Sequence, residues 1–279
     1  GVNTFVWDGG GDGTSWNDAG NWDVNCTPGL LTQAHDDIVT IGVGADVRIE
    51  DGESAYVLAL HNSGSLTITP GGVLKTINDS ESETTLLQGL LFGTGRFTVT
   101  GTMTWQSTAF GGATMSTRRC AKEDCSQAPP APGTTVVAVG ALLTIDGRGV
   151  NLSDRRVLEN HGRVRLSGNG YVAADWGTGF SNVRLAGDPR PVFAIANDLG
   201  YFQGLLNTGP TASTFWNSGR VVKAAGSGTA VIDAQYQSSH PDSQAVGDLV
   251  VESGALSTLS PNATGLVKAK VEQGSGFGN

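Results

Sequence analysis

A phrase repeated along this chain limits its fold more than any other feature: Asn, any residue, Gly, then a short strand of alternating residues. It stands at Asn62-Ser-Gly64-Ser-Leu66, at Asn160-His-Gly162-Arg-Val164 and at Asn217-Ser-Gly219-Arg-Val221. A partner phrase, a small residue or Gly followed by an alternating aliphatic strand, stands at Gly71-Gly72-Val73-Leu74, Gly140-Ala141-Leu142-Leu143-Thr144-Ile145 and Gly254-Ala255-Leu256. Period-two strands also read at 38–41, 45–49, 65–69, 96–100, 163–166 and 220–223, each bounded by Gly, Asn, Ser or Pro. Apolar residues at helical spacing are cut by glycine before they reach helix length. Insertions smear the repeat around the roughly twenty residues of a solenoid turn.

The phrase has a geometric reading. In a coil of stacked strands each rung turns sharply, and glycine supplies the positive φ that such corners use. Asn tolerates the same region, and inward Asn side chains on successive rungs can hydrogen-bond along the axis. Asn62, Asn160 and Asn217, with Gly64, Gly162 and Gly219, are therefore the expected corner and ladder residues. Between corners every second side chain enters a narrow lumen, which favours Val, Leu, Ile and Ala. The expected fold is all-β, a right-handed parallel β-helix (β-solenoid). An antiparallel β-sandwich with ordinary turns is the competing architecture.

Composition removes other classes. The chain has 279 residues with 41 glycines against 10 prolines, roughly twice the usual glycine share, yet no Gly-X-Y period, which excludes collagen. A formal net charge of -9 argues against a nucleic-acid partner, which needs clustered Lys and Arg. No apolar run approaches the roughly 18 residues of a membrane span.

The opening run from Phe5-Val-Trp-Asp-Gly-Gly to Gly20-Asn-Trp22 resembles a phrase at the start of β-helical passenger segments of bacterial autotransporters and large secreted or cell-surface proteins. Gly101-Thr-Met-Thr-Trp105, the stretch from Gly133 to Gly162, Phe215 to Lys223 and Val250 to Leu256 are similar to such segments too. The resemblance implies export and a right-handed β-helix, and it brings no catalytic residues with it. Residues 1–37 are expected to form an N-terminal Trp-rich cap, in which Phe5, Trp7, Trp16 and Trp22 plug the first rung; a carbohydrate-stacking surface is the other reading of these aromatics. Residues 38–279 are expected to form the solenoid, with a Cys/Pro-rich loop insertion at 117–133. The last residues, Gly274 to Asn279, show no evident cap, which suggests that the coil continues in a longer parent or docks onto another subunit.

Cys120 and Cys125 close a tight polar loop whose expected state is a disulfide, suited to an exported protein, with two free thiols as the alternative. Cys26 is then left over, either buried or open to an intermolecular bond. No cofactor is expected. A structural Ca²⁺ on the glycine-rich turn that carries Asp8 and Asp12 is the metal candidate. Arg163 and Arg165 fall on one outward strand face, as a possible glycan contact or as a solvated face. His35-Asp36-Asp37 is expected in a solvated loop, and His161 is expected to be the variable residue of a plain corner.

Motifs for nucleophile elbows, zinc proteases and phosphate loops are missing. The leading functional expectation is a non-catalytic structural or adhesive module of a secreted or surface bacterial protein, one that assembles head-to-tail into a filament or associates with neighbouring domains or with a glycan. The alternatives are a polysaccharide lyase or hydrolase, which needs converging carboxylates or a base on neighbouring rungs, and a carbohydrate-binding module.

Overall fold

The structure, a computed structural model, describes residues 2–29, 36–77, 84–107, 113–117, 131–147, 149–174, 177–197, 201–204, 213–241, 245–258 and 270–271. Among these, the strands form three sheets of eleven, nine and eight members. Their pairings are parallel, which an antiparallel sandwich cannot supply. Successive strands visit the sheets in rotation. Asp37–Ile41 lies in the first sheet, Asp46–Ile49 in the second and Ser54–Val57 in the third, and Ala59–Asn62 then returns to pair with Asp37–Ile41. The chain is thus all-β with long parallel sheets, consistent with a β-solenoid. Helix is confined, among the described residues, to one 3-10 turn at Ala19–Asn21, which Asp18 caps by accepting from the Gly20 N–H. No helix of the described residues is long and apolar enough to cross a membrane, which says nothing of β-barrels.

Alternation decides which side chains enter the interior. In Arg163–Leu166, Val164 and Leu166 are buried while Arg163 and Arg165 are exposed. Register then stacks the inward residues into columns: Leu143, Val164, Phe193, Val221 and Leu249 stand one above the next in the first sheet, all buried. Each such side chain contributes about 1.5–3 kcal/mol relative to exposure. A slip of one residue would turn the whole column outward, so the register is strongly specified. In the third sheet Phe180 stacks on Phe215 at 4.7 Å between ring centroids, and Phe215 on Tyr236 at 5.8 Å.

The Asn-x-Gly corners are real, but their glycines work differently from the expectation. Gly64, Gly162 and Gly219 do not have positive φ. They are required because the neighbouring rung passes too close: a Cβ on Gly162 would stand 2.5 Å from the Ala141 carbonyl oxygen, and one on Gly219 2.5 Å from that of Pro191. Positive φ belongs instead to the partner phrase, at Gly71 (81°) and Gly140 (83°). At each Asn-x-Gly corner the Asn Oδ1 accepts the glycine N–H, at 3.1 Å for Asn62, 3.0 Å for Asn160 and 3.1 Å for Asn217. Each Asn Nδ2 also donates to a backbone carbonyl of the next rung, at Leu90, Val192 and Asp248 respectively.

Before Asp37 the chain lies against the edges of all three sheets. Asn3–Val6 pairs with Asp37–Ile41 in the first sheet, Ser15 bridges Arg48 of the second, and the Gly29 carbonyl accepts the Tyr56 N–H of the third. Asp37 is not in a solvated loop: it begins a strand, is buried, and its two oxygens accept from Asn3 Nδ2 at 3.1 Å and from the Gly29 N–H at 2.9 Å. A buried carboxylate is stable where such donors reach it, and here it fastens two edge segments at once. His35 lies outside the described residues.

Candidate functional site

Two polar arrangements join neighbouring rungs in this fold, an axial interior ladder and an outward rung. The ladder runs through the third sheet. Asn160 Nδ2 donates to Asn182 Oδ1 at 2.8 Å, Asn182 Nδ2 donates to Asn217 Oδ1 at 2.8 Å, and Asn217 Nδ2 donates to the Tyr236 hydroxyl at 2.9 Å. All four residues are buried. Burial, and not the Asn217 contact, drives the Tyr236 phenol up to about 12, so it stays protonated. Asn62 is not part of this ladder. It ends a strand of the first sheet, at a different corner of the coil from Asn160 and Asn217, which end strands of the third. Asn182, in register between Asn160 and Asn217, completes the ladder although no Asn-x-Gly phrase marks it.

The outward rung runs along Val157–Asn160, across the corner, and into Arg163–Leu166. Inward Leu158, Asn160, Val164 and Leu166 leave Glu159, His161, Arg163 and Arg165 on the outer side. His161 is no plain corner residue. Its Nε2 lies 2.5 Å from Glu159 Oε1, and its Nδ1 lies 3.1 Å from the Val183 carbonyl oxygen on the next rung. Two acceptors on opposite ring nitrogens favour the doubly protonated imidazolium. The hydrogen bond it donates to Glu159 accordingly holds His161 above its ordinary range, against the opposing effect of burial. The same bond holds Glu159 below the usual carboxylate range. With both nitrogens engaged and the ring buried, His161 is placed to brace two rungs.

Arg163 and Arg165 point outward and are exposed, as alternation required. Their strand neighbours in register are Leu142 and Thr144 on one side and Val192 and Ala194 on the other. Arg156, by contrast, is fully buried. It donates from Nε to Thr135 Oγ1 at 3.1 Å, from one terminal nitrogen to Gly93 O at 2.9 Å, and from the other to Thr134 O at 3.4 Å. Burial lowers its guanidinium to about 9. Lys223 is an inward cation as well, and its Nζ donates to the Asn197 and Ala225 carbonyls. Sequence reasoning missed both, although Lys223 falls on the same strand face as Val221, and Arg156 lies just ahead of the strand Val157–Asn160.

At the N-terminal end, Phe5, Trp16 and Trp22 are buried, and Trp7 packs against the same cluster. Trp22 stands 5.0 Å from both Trp7 and Trp16 and 6.5 Å from Phe5, edge to face in each case. Its indole N–H reaches the Trp16 carbonyl at 2.8 Å, and that of Trp16 reaches Pro28 O at 3.1 Å. Phe5, Trp16 and Trp22, buried this deeply, offer no stacking platform for sugar, while Trp7 is half-buried.

The glycine-rich turn is held by its own side chains. Asp12 Oδ1 accepts from Ser15 N–H, Thr14 N–H and Asn21 Nδ2, which lowers the carboxyl below its ordinary range. Asp8 Oδ1 accepts the Gly10 N–H, and Asp18 Oδ2 accepts the Asp12 N–H. Among the described residues no three His, Cys, Asp or Glu side chains group to hold a metal ion.

Cys26 is an exposed free thiol. Cys120 and Cys125, with most of the 117–133 insertion, lie outside the described residues. A comparison of the chain with protein-family models, with curated proteins and with solved structures returned no match.

Proposed function

We propose that this chain is a non-catalytic structural or adhesive module of a secreted or cell-surface protein, a right-handed β-solenoid whose first 37 residues act as its cap. The axial ladder from Asn160 through Asn182 and Asn217 to Tyr236 carries the reading. It commits buried polar groups to rung-to-rung cohesion, which stiffens a rod and leaves them unable to meet a substrate. Right-handedness has the support of the strong chiral preference of parallel crossover connections. The cap reading is supported by the edge pairings of Asn3–Val6, Ser15 and Gly29, together with the buried tryptophans. Export rests on the resemblance of the opening phrase to bacterial passenger segments. Association with neighbouring domains or with further copies belongs to the same reading, and the exposed Cys26 thiol is open to a partner.

Small-angle scattering tests the shape. Eleven strands in one sheet, at about 4.8 Å apart, give a rod roughly 50 Å long over the paired strands. A compact globular profile would refute the rod. Release of product from a panel of acidic polysaccharides, abolished in Glu159→Gln, would replace the structural reading with the glycan-active one.

A further inference from the structure

We propose that Arg163 and Arg165 form a binding site for a linear acidic polysaccharide, gripped through its carboxylate or sulfate groups. This deepens the adhesive reading given above and rests on it. Both side chains leave the same strand on the same face, two residues and so about 7 Å apart along the backbone. Neither has an ion-pair or hydrogen-bond partner among the described residues; Asp146, two residues beyond Thr144 on the adjacent strand, accepts the Gly147 N–H. Asp248 of the same sheet is taken by Arg190, Glu252 by Arg220, and Glu159 by His161. In a chain of net charge -9, two adjacent uncompensated guanidinium groups concentrate positive charge against the general field.

The surroundings favour a chain molecule lying on the surface. In register beside the arginines are Leu142 and Thr144 on one side and Val192 and Ala194 on the other, all half-buried and uncharged. The guanidinium heads thus stand above a low floor on which the apolar faces of sugar rings can rest. The Arg163–Leu166 strand is hydrogen-bonded on both sides, so the backbone is held while the long side chains adapt. Guanidinium forks meet carboxylate or sulfate oxygens in pairs, which an ammonium cannot do.

The experiment measures retention and affinity of the full chain on immobilised polygalacturonate and on heparin, with dextran and duplex DNA as controls. The wild type is expected to bind both acidic polysaccharides at low salt, to release them as salt rises, and to ignore dextran. The double variant R163A/R165A is expected to bind at least about tenfold more weakly, since bonds to charged groups are lost. R163K/R165K is expected to fall between the two. Single variants R163A and R165A, checked by circular dichroism, carry the comparison if the double variant does not fold. Equal affinity of wild type and variants, absence of binding to both acidic polysaccharides, or tighter binding to DNA than to either would overturn the site. Scattering from the same samples separates the two readings: a rod that fails to bind overturns the site alone.

Discussion

Replacing Asn182 with Ala interrupts the interior ladder where the chain has no local use for the side chain. At Asn160 and Asn217 the Oδ1 also closes the corner by accepting a glycine N–H, whereas Asn182 serves only its neighbours. The change removes the bond from Asn160 Nδ2, the bond to Asn217 Oδ1 and a longer one of 3.3 Å to Arg220 O. Asn160 keeps Val192 O, and Asn217 Oδ1 keeps the Gly219 N–H, so neither is wholly orphaned. Three bonds at about 1 kcal/mol each, with a small cavity adding up to about 1 kcal/mol, give a loss of about 3–4 kcal/mol. Asn182→Val should cost less, because Val99 and Val137 already occupy the same register position on earlier rungs. Urea unfolding followed by far-ultraviolet circular dichroism reads the difference, with an unchanged slope as the check that both proteins unfold alike. A cycle with Asn160→Ala should return a coupling of about 1 kcal/mol. An Asn182→Ala protein within about 0.5 kcal/mol of wild type, below the ordinary cost of even one lost bond, would show that the ladder does not hold the rungs together.

Gly162→Ala forces a Cβ against neighbouring carbonyls and is expected to cost about 2–3 kcal/mol by overpacking. Gly44→Ala, at φ 88° but with open space around it, should cost only about 1 kcal/mol, and equal losses in thermal melts would contradict the close-approach argument. The Glu159–His161 pair predicts a pH window. Glu159 is held below its ordinary 4.5, so its contribution is present above that value and lost as pH falls through the lowered one. His161 is held above its ordinary 6.5, so its contribution is complete below that value and lost as pH rises through the raised one. The stability gap between wild type and Glu159→Gln, about 1 kcal/mol, should therefore be widest between those two ordinary values. Urea midpoints that run parallel from pH 4 to 9 would remove the pair from the account. Trp22→Ala empties the centre of the N-terminal aromatic cluster and should cost about 3–5 kcal/mol. Loss of the near-ultraviolet circular dichroism signal reads it, and an unchanged spectrum would mean that the cluster is loosely packed.

The strands themselves were legible residue by residue. Arg163–Leu166 and Arg220–Lys223 fall where alternation put them, and Asp37–Ile41 begins one residue ahead of its predicted start. Alternation is a local consequence of the strand's pleat, so it survives without knowledge of any partner. The same rule set Arg163 and Arg165 outward. The corners were legible as corners, but not in their mechanism. Whether a glycine answers to φ or to a neighbouring carbonyl depends on a rung about twenty residues away, which no local pattern contains.

What the amino-acid sequence determined by itself is the period-two strand, the glycine-marked corner and hence an all-β coil of parallel sheets. Only the tertiary structure decided which rungs stack and in what register. That register joined Asn182 to Asn160 and Asn217, set Asn62 at another corner, and gave the buried Arg156 and Lys223 their carbonyl partners on other rungs. It also brought His161, already two residues from Glu159 in the chain, onto Val183 of the next rung, while Arg163 and Arg165 stayed exposed. The physical reason is that parallel pairing links residues 22 apart at one step of the ladder and 35 at the next. Insertions of unequal length set those separations, so a side chain's partner is fixed by how many residues each loop absorbs, a quantity that alternation does not encode.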